Sequence, residues 1–298
     1  MADTKNQNSK DERGKTAPGK SPSRPASMSP KDFAKFSQFI YAEVGIKMPP
    51  SKKTMLEARL QKRLRYLNLK DYHTYCEYLF SSEGMERELP HLIDVVTTNT
   101  TDFFREPKHF EFLSDNVLPL LDSRLNRRRP LAVWSAGCSI GMEPYTLAMV
   151  LSEYAAKNSG FSFSILATDI STQALEKAVN AVYEEERVLP VPGPLKTRYL
   201  LRSKDRSRRL VRIVPELRKA VRFRRLNFME DFSFRNPLDI IFCRNVIIYF
   251  DRPTQEVLFH KFCRCIAPGG FLFIGHSESL SGMDLPLKQV APTIYQRI

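Results

Sequence analysis

The residues most able to do chemistry in this chain stand at the ends of apolar runs. Leu131–Ala136 leads into Gly137, a short loop reaches Gly141, and Glu143 and Pro144 open a helical pattern. Glycine lets a backbone approach a ligand closely, and a helix start offers N–H groups without partners. The loop lacks the G-x-G-x-x-G spacing of dinucleotide sites and the Lys-Ser/Thr of a phosphate loop, and alone it equally suits simple helix–strand packing. A second run, Phe163–Thr168, ends on Asp169. An acid there can accept hydrogen bonds from both hydroxyls of a ribose, or it can cap the helix that follows. Loop and acid, roughly 30 residues apart within one strand–helix–strand unit, together point to a ligand containing adenosine.

Two further strand ends carry polar groups. Asn227 and Phe228 follow Val221–Leu226; Arg244 and Asn245 follow Leu238–Cys243, with Tyr249 a few residues on. Each could be an ordinary turn or cap residue, but polar groups at successive strand ends face one crevice. Arg105 closes the Thr- and Asn-rich stretch Thr97–Arg105, where Phe103 and Phe104 are expected to pack. A guanidinium at that point can clamp a carboxylate of cofactor or substrate, or make a surface ion pair.

A sheet must position these residues, and the chain supplies its pattern. Leu131–Ala136, Phe163–Thr168, Leu238–Cys243 and Phe271–Ile274 read as buried parallel strands, with helices over Pro144–Lys157 and Thr172–Ala181 between them. This is the rhythm of a doubly wound α/β domain, expected over residues 108–298. A Pro-rich, then basic stretch at about 189–221 breaks the rhythm and reads as an inserted subdomain. Residues 30–107 are helical throughout. Phe33, Phe36, Phe39, Ile40 and Val44 form one apolar stripe behind a Ser29-Pro30 start, and Leu56, Leu60, Leu64 and Leu67 form a second. Further helices are expected over Asp71–Ser81 and Met85–Thr97. Lys52, Arg59, Lys62 and Arg63 fall on another side of the second helix.

Residues 1–29 are rich in Lys, Ser and Pro, with no large apolar residue before Met28, and read as a disordered basic tail. The net charge of +13 favours anionic partners without choosing among them. Five irregularly spaced cysteines make no zinc pattern, so reduced thiols and no structural metal are expected. With no apolar run long enough to span a bilayer and no signal-peptide pattern, the expected location is the cytoplasm.

Together these segments resemble the chemotaxis receptor methyltransferases, the CheR family. The resemblance runs from about residue 30 to the C-terminus. It is carried in order by Thr97–Arg105, Ser135–Tyr145, Ala167–Ile170, Phe242–Phe250 and Gly275–Glu278. It implies a class I S-adenosylmethionine-dependent methyltransferase domain with a small β-subdomain, preceded by an all-α domain. It also implies S-adenosylmethionine as methyl donor, S-adenosylhomocysteine as product, and glutamates of a methyl-accepting receptor as substrate. Carried over by motif, the cofactor contacts are Asn99, Thr101, Arg105, Glu143, Asp169, Asn227, Phe228, Arg244 and Asn245. Asp169 would hold the ribose, Glu143 would face the methionine amino group, and Asn227 and Phe228 would flank the adenine. The expected protein is a monomer that can associate peripherally with receptor arrays.

This chain departs from the family at two points. Members commonly carry two acids after the loop glycine, where this chain has Met142 then Glu143, so the contact is carried to Glu143. Some members hold a tethering peptide from the receptor C-terminus at a glycine-rich turn of the β-subdomain. Here the stretch Arg202–Arg209 has no glycine, which argues for direct recognition. The basic residues Lys52, Arg59, Lys62 and Arg63 would then dock the acidic receptor helix.

A glutamate carboxylate is already ionised at neutral pH, so methylating it needs no general base, and none is evident. Arg105 and Tyr249 are the candidates for orienting the reacting groups. A nucleic-acid amino-methyltransferase would need a proline-rich loop where this chain has Asn245–Tyr249, and nucleic acid is not the expected partner. A signalling scaffold without catalysis is the other alternative, motivated by Met142 and the altered subdomain.

Overall fold

In the computed structural model, residues 27–125 and 129–298 are described; the expected tail falls almost wholly outside them. The first helix, α1 (Pro30–Val44), begins as its sequence dictates. Ser29 Oγ accepts from Asp32 N, Pro30 fills the first helical position, and Gly45 at φ 72° closes the far end. Its buried face is Phe33, Phe36, Ile40 and Val44. α2 (Lys53–Tyr66) buries Leu56, Leu60 and Leu64 in the same core, and α3 (Tyr72–Leu79) is capped by Asp71. The single helix expected from Met85 is instead two, α4 (Ser82–Arg87) and α5 (Leu89–Val96), meeting at buried Glu88. Pro90 explains the break: it has no N–H to continue the preceding helix and fits only the first turn of a new one.

Next come α6 (Pro107–Phe112), a π-turn over Leu113–Val117, and α7 (Leu118–Leu125). The α/β part then alternates: β1 (Leu131–Ala136), α8 (Met142–Lys157), β2 (Phe163–Asp169) and α9 (Thr172–Asn180). The inserted subdomain contains β3 (Val182–Glu184), α10 (Gly193–Tyr199), β4 (Leu200–Arg202) and β5 (Leu210–Ile213). The main layer resumes with α11 (Pro215–Ala220), β6 (Val221–Arg225), β7 (Leu238–Cys243), α12 (Arg252–Cys265), β8 (Ile266–Ile274), β9 (Leu287–Ala291) and β10 (Ile294–Arg297).

The seven-stranded sheet runs β6-β2-β1-β7-β8-β10-β9. β6 through β8 are parallel and β10 and β9 antiparallel. Strand order reverses beside β1, where a crevice opens at the carboxyl ends of the strands. Every residue of β7 is buried, as a central parallel strand requires. Trp134 packs on Phe228, Phe234 and Phe262 on one face of the sheet, and Phe242 stacks on Phe273 at 4.2 Å on the other.

The subdomain is a separate antiparallel sheet, β3-β5-β4. It begins ahead of the expected boundary at 189, because Val182–Glu184 leaves α9 directly as its first strand. Val221, the expected end, already belongs to the main sheet. Tyr183 anchors the insertion, donating to Ile140 O at 2.8 Å and meeting Phe103 edge-on. All five cysteines are buried free thiols, and among the described residues no helix is long and apolar enough to cross a membrane.

The helical domain closes over the crevice by several polar ties. Asp94 accepts from Ser171 Oγ at 2.7 Å and Thr172 Oγ1 at 2.9 Å. Lys47 N donates to Tyr249 O, and Tyr41 Oη donates to Asp251.

Candidate active site

The crevice is a cleft between the two domains, lined from both. Asn99, Thr101, Arg105, Glu143, Asp169, Asn227, Phe228, Arg244, Asn245 and Tyr249 all line it, although they come from segments far apart in sequence.

The glycine loop sets its floor. Gly137 adopts φ 82°, and a Cβ there would lie 2.4 Å from Val246 Cγ2. Gly141 adopts φ 91°, and its Cβ would lie 2.8 Å from Ala178 Cβ. Both positions need a residue without a side chain. Between them Ser139 N donates to Asp169 Oδ2 at 2.7 Å, and Ser139 Oγ donates to Asn99 O at 2.9 Å. The other Asp169 oxygen accepts from Ser171 N at 2.9 Å. The cap of α9 is Ser171, whose Oγ accepts from Ala174 N, so Asp169 is not spent on that role. Burial pushes the Asp169 carboxyl up, opposed by its backbone N–H donors.

Glu143 is buried, accepting from Ser135 Oγ at 2.7 Å and Arg244 Nε at 2.8 Å. Met142, its neighbour, turns wholly into the core and does not reach the cleft. The Arg244 guanidinium lies beside the stacked rings of Phe110 and Phe242, 5.1 and 5.5 Å from their centroids. Its Nη1 donates to Arg105 O at 2.7 Å and approaches His109 Nδ1 at 3.2 Å and Glu106 Oε2 at 3.5 Å. Burial and the Arg244 charge push His109 down to about 4, so its ring is neutral at pH 7. With Nδ1 facing a donor, its proton sits on Nε2, which donates to Thr293 Oγ1 at 2.8 Å.

Arg105 differs from Arg244. Among the described residues its guanidinium makes one long hydrogen bond, to Thr100 O at 3.4 Å. The alternative of a surface ion pair is not realised there, and the charge faces the cleft. Asn227 is held at both ends, donating to Glu43 O at 2.8 Å and accepting from Met229 N at 3.1 Å.

The basic residues of α2 do not form one free face. Arg63 is committed to buried Glu88 by two hydrogen bonds of 2.8 and 2.6 Å. Arg59 caps α5, donating to the carbonyls of Val95, Val96 and Thr97 and to Thr98 Oγ1. Lys52 sits with its Nζ 5.8 Å from the Tyr249 ring centroid, near the cleft mouth, and Lys62 is exposed. The apolar stripe placed these residues correctly off the core but could not show that two of them serve the fold.

Several cleft residues carry no polar group that would mark them in the sequence as part of a site. Val44 and Ile46 reach it from the end of α1, and Leu226 and Phe250 from the loops. Glu106, His109 and His276 bring one potential ligand atom each within 4.8 Å of one another. The Arg244 guanidinium already supplies the positive charge at that cluster, which argues against a second cation there.

Comparison with known proteins matches residues 31–97 to the family described as CheR methyltransferase, all-alpha domain, and residues 99–295 to CheR methyltransferase, SAM binding domain. The chain belongs to the CheR methyltransferase family. It is 40% identical over 266 residues to chemotaxis protein methyltransferase 2 of Pseudomonas aeruginosa, covering 89% of this chain and 92% of that one. It is 38% identical over 270 residues to the chemotaxis protein methyltransferase of Borreliella burgdorferi, covering 89% and 94%. With that of Escherichia coli it shares 36% over 271 residues, covering 90% and 91%. The matched segments meet between Thr97 and Asn99, where the Thr-rich stretch enters the cleft. The CheR assignment makes the domain around the cleft one that binds S-adenosylmethionine.

Proposed function

We propose that this CheR protein methylates glutamate side chains of a chemotaxis receptor in the cleft between its domains. The observation that carries the reading is the convergence of Arg105, Glu143, Asp169, Asn227, Arg244, Asn245 and Tyr249 on one space. The donor set fits S-adenosylmethionine. Asp169 offers an anionic acceptor for ribose hydroxyls, Glu143 an anion for the methionine ammonium, and Arg105 a cation for its carboxylate. Phe228 and Asn227 offer an apolar face and an amide edge for the adenine. Bound there, S-adenosylmethionine supplies a methyl group activated by its sulfonium.

The rest falls to positioning. A glutamate with a pKa near roughly 4.3 arrives ionised, so the protein need not remove a proton. Its tasks are to hold the oxygen in line and keep water out, since opposite charges are lost on transfer. Arg105 and Tyr249 line the cleft and are assigned that orienting role. Arg244 is assigned a supporting role: its bonds to Glu143 and Arg105 O fix both ligands in place. For docking an acidic receptor helix, exposed Lys62 and the Lys52 ammonium are the available charges, with Arg59 and Arg63 holding α2 in register. Receptor recognition is assigned to this face rather than to a tether peptide on the subdomain, and the enzyme is taken to act as a monomer.

Calorimetry with S-adenosylhomocysteine tests the cofactor assignment. The wild-type chain should bind one equivalent and Asp169→Ala at least tenfold more weakly. No binding by the wild-type chain would contradict it and favour a scaffold.

A further inference from the structure

Gly275–Glu278 forms a turn at the end of β8, beside the cleft but outside its lining. Glu278 N donates to Gly275 O at 2.9 Å, and the Glu278 carboxylate is buried. Its partners are backbone amides. Oε1 accepts from Val246 N at 2.9 Å and Ile247 N at 3.0 Å, and Oε2 accepts from Gly275 N at 2.6 Å. Two of those amides belong to the segment that carries Asn245 and Tyr249 into the cleft.

The short turn Ile247–Tyr249 closes on itself, Tyr249 N donating to Val246 O at 3.3 Å and Phe250 N to Ile247 O at 3.0 Å, but the amides of Val246 and Ile247 go to Glu278. The chain leaves β7 and turns through Asn245 at φ 60°, so the next amides leave the strand ladder. Buried N–H groups in that state need an acceptor. The same turn presses from the side: a Cβ on Gly275 would lie 2.6 Å from Asn245 Nδ2 and 2.9 Å from its N. Val246 is pinned in turn against Gly137 of the glycine loop. Glu278 therefore sits under the point where the β7 loop and the glycine loop meet.

We propose that Glu278 is a positioning residue for methyl transfer, holding the amides of Val246 and Ile247 so that Asn245 and Tyr249 face cofactor and acceptor. The inference rests on the cleft being the cofactor site. A carboxylate that merely stabilised the fold would lower the melting temperature of its variants and leave binding and turnover of the folded fraction unchanged. Glu278→Gln separates the two roles, because it keeps the shape but turns one acceptor into a donor facing N–H groups.

The full-length wild-type and Glu278→Gln chains are compared by thermal melting, by calorimetry with S-adenosylhomocysteine, and by steady-state methylation of a receptor fragment. Below its melting temperature, Glu278→Gln should bind the product at least tenfold more weakly. At saturating cofactor its kcat should fall at least tenfold, with KM for the receptor within twofold. Wild-type affinity and kcat in the folded variant would overturn the proposal, whatever the melting temperature. If Glu278→Gln does not fold, Glu278→Asp decides, since it keeps the charge but draws the carboxylate back from the amides of Val246 and Ile247. The same losses support the proposal and wild-type values overturn it. Failure of the wild-type chain to bind the product would instead overturn the cofactor site and this inference with it.

Discussion

Arg244 Nε lies 2.8 Å from Glu143 Oε2 beneath the cleft, joining the end of β7 to the first turn of α8. Both side chains are nearly inaccessible, and Glu106 lies 3.5 Å from the same guanidinium. Arg244→Met should leave two acids without their cation and destabilise the fold by about 4 kcal/mol, the usual scale for breaking a buried pair. Arg244→Lys should recover little, because one ammonium cannot reproduce the separate bonds to Glu143 and Arg105 O. Urea unfolding of both variants checks this; a Lys variant as stable as wild type would contradict it.

Lys62 and Arg63 are neighbours with opposite assignments. Lys62→Glu should weaken association with an acidic receptor fragment and flatten its salt dependence, with little change in stability. Arg63→Ala should cost about 3 kcal/mol by leaving Glu88 buried and unpaired. Binding titrations at low and high salt, beside melting curves, separate the pair.

Arg105→Ala and Tyr249→Phe address the orienting role directly. Arg105→Ala should weaken S-adenosylhomocysteine binding and lower kcat/KM on the order of a hundredfold, the loss of a charge-assisted contact. Tyr249→Phe should lower kcat with product affinity nearly unchanged. Normal turnover and normal affinity in both would remove them from the mechanism.

His109 predicts a pH signature. Its folded-state pKa is held near 4 by burial and by Arg244, against an ordinary 6.5, with Glu106 opposing and His276 adding to the shift. A depressed pKa means the unfolded chain binds the proton more readily. The stability it contributes is full above pH 6.5 and is lost as pH falls toward 4. His109→Gln should therefore melt with a shallower dependence on pH over that window than wild type. Equal slopes would contradict the buried neutral ring.

Much of the fold was legible in the sequence. Leu131–Ala136 and Leu238–Cys243 match β1 and β7 because strands buried on both faces are continuous apolar runs. Leu287–Ala291 is not legible in the same way because β9 lies at the sheet edge, largely solvated, and carries no such run. The cleft's polar strand ends were visible as isolated residues, but their neighbours were not. Glu88 lies 25 residues from Arg63, and Glu278 31 from Ile247. Local periodicity carries no information across such separations, so a basic helix face and a buried ion pair read alike.

The most direct measurement is the chemistry of the product. The wild-type chain is incubated with methyl-labelled S-adenosylmethionine and an acidic receptor fragment, and the labelled protein is then treated with mild alkali. Methylation of glutamate carboxylates predicts label released as volatile methanol, and lost when the acceptor glutamates are replaced by alanine. Label that resists alkali, or that transfers without those glutamates, would contradict esterification at this cleft.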